Sequence, residues 1–96
     1  MTPTFEDLVA FAKKIEGQPI YTLKRAKPFF VNVESGRLRF TPAKSSSVRR
    51  SNTEEIKSVL KRFADTGSFE PGKYSEISFN ASYVLALVDA FRSKEK

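Results

Sequence analysis

The sequence predicts an α+β fold: an N-terminal helix, a small antiparallel β-meander or hairpin, then two C-terminal helices packed on the sheet. Three observations carry that expectation. Apolar residues recur at helical spacing up to Ile15, and again from Ile56 and from Val84 onward. Between Val31 and Phe40 they alternate with polar ones, the period of a half-buried strand. Gly17, Pro42 and Gly67 stand near the changes of period, as chain punctuators do.

The first helix is expected over 3–16. Phe5, Leu8, Val9, Ala12 and Ile15 form its apolar face, Thr2 or Thr4 is the N-cap, and Gly17 lies just past the end. Glu6 and Asp7 near its start and Lys13 and Lys14 near its end complement the helix dipole.

After Gly17 the chain turns β-rich, with a strand expected at about 19–24. Strands at 28–34 and 37–42 form a hairpin about Ser35-Gly36, although Asn or Asp before the Gly would signal the turn more strongly. With that two-residue loop, Val33 faces Leu38 and Val31 faces Phe40 on one side, while Glu34 opposes Arg37 and Asn32 opposes Arg39 on the other. Pro42, which has no N–H to donate, ends the last strand or lies at an edge. The polar run 44–47 is a loop, and 47–50 is offered as a short further strand with only Val48 turned inward.

Ser51-Asn52-Thr53-Glu54 spells a capping box ahead of the stripe Ile56, Val59, Leu60 and Phe63, so a second helix is expected over 52–66 and stops at Gly67. Glu70-Pro71-Gly72-Lys73 reads as a β-turn in which Gly72 takes a positive φ. The stretch 74–83, containing Ile77 and Phe79, is the simplest lid between the last helix and the sheet. The final helix is expected over 80–92 with Asn80 as its cap, which is how the Asn80-Ala81-Ser82 glycosylation spelling is read in a chain without an export signal. Val84, Leu87, Val88 and Phe91 form its stripe. Ala81, Leu85, Ala86 and Ala90 widen it nearly all round, so this helix is buried on more than one side or pairs with a second copy.

A length of 96 residues suits a single domain over 1–96. The apolar share of 40%, with nine Phe and three Tyr, is enough for a packed core and argues against disorder. There is no Cys and hence no disulfide framework, and no apolar run approaches the roughly 20 residues that span a bilayer, so a cytoplasmic, non-membrane protein is expected. With neither His nor Cys, the usual general base and soft metal ligands are missing, and the expectation is no enzyme and no cofactor. Glu55-Ile56-Lys57 has the spelling of a nuclease Glu-x-Lys, but it lies in a helical segment where the two charges sit apart around the axis.

The charge is uneven. Residues 24–62 hold eleven Lys and Arg against three Glu, a formal +8, whereas 1–23 and 63–96 carry −1 each. Such a block is the electrostatic footprint of a surface that meets a polyanion. The leading expectation is therefore a non-catalytic nucleic-acid-binding module, for DNA or RNA, with Arg37, Arg39, Arg49, Arg50, Lys57 and Lys61 on the phosphates. The loop 44–50 and the following helix start are the best anion site, although Glu54 and Glu55 offset the positive helix end. Lys57 and Lys61 are an i, i+4 like-charge pair that an anionic partner would relieve. Phe30 falls on the side of Asn32, Arg37 and Arg39, where it can stack on a base; in the competing reading the domain covers both sheet faces near Pro28 and Phe30 is core. The alternative function is a protein-interaction adaptor or small accessory subunit that binds an acidic partner or homodimerises through the C-terminal helix.

Overall fold

The computed structural model describes residues 2–23, 25–44, 49–50, 52–74, 76–77 and 80–94, with 49, 50 and 94 described by backbone alone. The elements are α1 (Phe5–Lys14), β1 (Ile20–Tyr21), β2 (Pro28–Glu34), β3 (Arg37–Pro42), β4 (Arg49–Arg50), α2 (Thr53–Thr66), a 3-10 turn (Pro71–Tyr74) and α3 (Ala81–Lys94). The α+β order is the one the sequence predicts.

Helix α1 begins at Thr4, which resolves the choice between two threonines. Thr4 Oγ1 accepts the Asp7 N–H at 3.1 Å, and the Asp7 carboxylate accepts the Thr4 N–H at 3.0 Å. This reciprocal pair satisfies two backbone donors that have no partner within the helix. The helix is shorter than 3–16 because this box fixes its start at Phe5 and Ile15 already caps its end.

Among the described residues the sheet has four antiparallel strands in chain order, the outer two of two residues each. The β2–β3 register pairs Val33 with Leu38, Val31 with Phe40, Asn32 with Arg39 and Glu34 with Arg37. Ser35 and Gly36 have φ of 52° and 75°, so both turn residues lie in the left-handed region, whose twist matches a two-residue hairpin. The expected strand at 19–24 contracts to Ile20–Tyr21. From Thr22 the chain folds on itself, Thr22 N–H donating to the Lys27 carbonyl at 3.0 Å and Ala26 N–H to the Thr22 carbonyl at 2.8 Å. At 47–50, pairing is seen at Arg49 and Arg50, and Val48 lies outside the described residues.

Helix α2 starts one residue later than 52. Its N-cap is Asn52 and not Ser51, which lies outside the described residues; Asn52 Oδ1 accepts the Glu54 N–H at 2.8 Å. Gly67 ends the helix at φ 66°, its N–H bonded to the Phe63 carbonyl at 2.7 Å. The turn at Glu70 forms, with Lys73 N–H on the Glu70 carbonyl at 3.1 Å, but it continues as a 3-10 turn and Gly72 does not take the positive φ expected of it. Tyr74, wholly buried, donates its hydroxyl to the Ser68 carbonyl at 2.7 Å and so anchors the connection to α3. The Asn80 carbonyl accepts the N–H of Tyr83 and Val84 at 3.0 and 3.1 Å, which opens α3.

One core joins the helices to one face of the sheet. Phe29, Val31, Leu38 and Phe40 are buried against Leu8, Phe11 and Ala12 of α1, the α2 stripe and residues 84–88 of α3. The Tyr83 ring lies 4.8 Å from that of Phe29 and 5.6 Å from that of Phe40, clamping α3 on the sheet. Helix α3 lies against α1, α2, β1 and the 3-10 turn, and of its described side chains only Arg92 and Ser93 are exposed. Of the two readings of its apolar girth, burial on more than one side is the one seen, against this chain's own elements. Among the described residues no helix is long and apolar enough to cross a membrane.

Candidate nucleic-acid interface

Strand alternation decides what the sheet shows to the outside. Since Phe29, Val31, Leu38 and Phe40 point into the core, their neighbours face the other way: Phe30, Asn32 and Glu34 on β2, Arg37, Arg39 and Thr41 on β3. Tyr21, opposite Pro28 in the register, belongs to that face too. None of these residues is buried. The helices cover the other face of the sheet; on this one Tyr21, Glu34 and Arg37 are exposed, and Phe30, Asn32, Arg39 and Thr41 are half-buried.

Phe30 is therefore not core. It is half-buried and absent from the apolar side chains packed on the central cluster, so the reading in which the domain closes over both faces near Pro28 is corrected. The cause is topological: α1 and α3 reach the sheet from the same side.

Arg39 and Arg37 behave differently although both lie on β3. The Arg39 guanidinium makes an ion pair with Glu34, and its side chain is 23% exposed. Glu34 stands directly opposite Arg37 in the register, yet bonds diagonally to Arg39. Arg37, next to the turn, is exposed. Arg50 takes the register position beside Arg39 on β4, so the row Asn32, Arg39, Arg50 crosses three strands; Arg49 pairs with Phe40. Arg25 and Lys27 before β2, and Lys44 after β3, are exposed as well. From residue 20 to 44 there are six Lys and Arg against the single Glu34, a formal +5.

Lys57 and Lys61 are elsewhere. Both are exposed on α2, where with Thr2, Pro3, Thr4, Phe5, Glu6 and Leu60 they line an open recess of about 350 Å³ at the start of α1. Lys57 Nζ stands 6.0 Å from the centre of the Phe5 ring, within cation–π reach, and Glu6 shares the recess. These two lysines belong to the helical layer, which covers the other face of the sheet from the one bearing Arg37 and Arg39. The basic block thus divides into two surfaces.

At the start of α2 a cap and two acidic side chains take the positions an anion would use, and residues 45–48 and 51 before it lie outside the described residues. Asn52 already occupies the Glu54 N–H, and Glu54 and Glu55 fill the first turn. Arg62, beside Lys61 in sequence, is held by Glu76 and by the Lys73 carbonyl. Among the described residues no group of three or more acidic side chains gathers as a metal site, and the Glu-x-Lys spelling falls on a helix with Ile56 buried between its charges.

Tyr21 is the residue that sequence reading overlooked. It is 54% exposed, more than any other large apolar or aromatic side chain described. Its signal was alternation with Ile20, which packs on the core, but two residues of strand are too few to show a period. Set against known protein families, curated proteins and solved structures, the chain finds no match.

Proposed function

We propose that this chain is a non-catalytic nucleic-acid-binding module that meets the phosphate backbone with the open face of its sheet and the basic loops around it. The observation that carries the reading is the concentration of positive charge on the segment that builds this face: six Lys and Arg against one Glu between residues 20 and 44. Sequence-independent affinity for nucleic acid comes from such contacts, each releasing a condensed counterion. We read the chain as cytoplasmic, a location that suits a sequence with no Cys. The alternative is an adaptor that binds an acidic partner or homodimerises; its helix-mediated form is disfavoured because the C-terminal helix is packed within its own chain, and its acidic-partner form is told apart by the same titration.

Fluorescence anisotropy of labelled mixed-sequence oligonucleotides, duplex and single-stranded, titrated with the protein at ~50 mM salt tests the reading, because screening there is weaker than at physiological ionic strength. Saturable binding that weakens as salt rises is expected. Absence of binding to either form removes the proposal.

A further inference from the structure

Resting on that reading, we propose that the open sheet face is a stacking platform for single-stranded nucleic acid, with Tyr21 and Phe30 as the two rings and Arg39 as the adjoining cation. Register places the three on one diagonal. Tyr21 opposes Pro28 and is therefore diagonal to Phe30; Phe30 opposes Thr41 and is therefore diagonal to Arg39. Diagonal neighbours on one face lie about 7–8 Å apart, so the stripe crosses three strands in two steps.

An exposed tyrosine by itself needs no explanation. The conjunction does. Tyr21 is 54% exposed, and Phe30 is a second aromatic, half-buried and kept out of the central core, on the same face. Both lie in the stretch of the chain where cations outnumber acids six to one. Duplex DNA offers its phosphates to such a surface but keeps its bases stacked on one another, leaving the rings without a partner. A single strand offers both: unpaired bases present flat π-faces to aromatic rings, and its backbone lies within reach of the arginines. Stacking accepts any base, so the platform carries little sequence preference. Charge complementarity and the two rings on one diagonal together favour a single strand, whose phosphates take the cations while its bases take the rings.

The test compares labelled single strands of DNA and of RNA with a duplex of the same length, using wild type, Tyr21→Leu, Phe30→Leu and the double variant. Leucine keeps apolar cover over the sheet and removes the π-face; neither residue belongs to the buried core, and thermal melts followed by circular dichroism verify the fold. Each single variant is expected to weaken single-strand binding by about 5-fold to 100-fold, the equivalent of losing one stacked base, while duplex binding stays within about twofold. Tyr21→Phe is expected to retain binding. Tyrosine fluorescence supplies an independent signal: the strand quenches wild type more than Tyr21→Phe, since Tyr74 is buried and Tyr83 is packed on the core away from this face. Unchanged single-strand affinity in the double variant, or equal loss on both forms, overturns the platform while leaving a nucleic-acid-binding module in place. A wild-type protein that binds neither form removes the parent reading as well. Different affinities for RNA and DNA strands identify the preferred source without altering the stacking role.

Discussion

Ser35 holds φ at 52°, a conformation that costs a residue with a Cβ on the order of 1 kcal/mol and that Asn adopts more readily. Ser35→Asn is therefore expected to raise the thermal midpoint, with a gain of a few tenths to about 1 kcal/mol, measured by denaturant titration. Gly36 at φ 75° sets the opposite case: a built Cβ meets no atom within 4 Å, so Gly36→Ala costs stability through backbone strain alone, about 1 kcal/mol. Glu34 is the one acidic residue on this face among the described residues, and it occupies Arg39. This pair is partly buried, with Arg39 23% and Glu34 56% exposed, and is worth up to about 1 kcal/mol, so removing it frees a cation at small cost to the fold. Glu34→Gln is expected to tighten nucleic-acid binding up to about fivefold at low salt, with stability nearly unchanged, as the same coupling energy implies. An affinity that falls on this substitution contradicts a role for Arg39 on phosphate.

Each helix stands on local chemistry at its ends and an apolar stripe between them, and a change at an end tests which residue holds it. Asn52→Ala removes the acceptor of the Glu54 N–H and is expected to destabilise the protein by about 1 kcal/mol, read from a chemical melt. These signals are written in neighbouring residues, which is why the three helices and the hairpin register could be read from the chain. The boundaries that moved depend on more than spelling. In Ser51-Asn52-Thr53-Glu54 three adjacent residues have capping side chains, and the spelling does not say that Asn52 is the one that accepts the Glu54 N–H. Gly72 could have supplied a positive φ, but the continuation into a 3-10 turn that brings Tyr74 into the core keeps it out of that region. Strand β1 ends at Tyr21 because Thr22 caps the loop to Lys27 with its own hydroxyl, at 3.0 Å, a contact no period of two foretells.

At the scale of the whole molecule, a charge count along the chain sums over every face, and that is why the candidate site was only half legible. Alternation assigned Arg37, Arg39 and Phe30 to one side of the hairpin, but whether that side was open depended on where α1 and α3 dock, and the position of Lys57 and Lys61 depended on how α2 seats against α1. The division of the cations makes a quantitative difference. Six contacts to duplex DNA would give a log–log salt slope of about −5, whereas two or three contacts to a single strand give about −2. Because Lys57 and Lys61 share their recess with the start of α1 on the helical layer, a strand lying on the open sheet face does not reach them. Lys57→Ala with Lys61→Ala is therefore expected to leave both affinity and slope for a single strand within error. Arg37→Ala, by contrast, shallows the slope by about 0.7 and weakens binding uniformly across sequences. Anisotropy titrations over a salt series measure both. A slope near −5 that collapses when the two lysines are removed would mean that the ligand wraps from the sheet onto the helical layer, and the interface drawn here on one face would be too small.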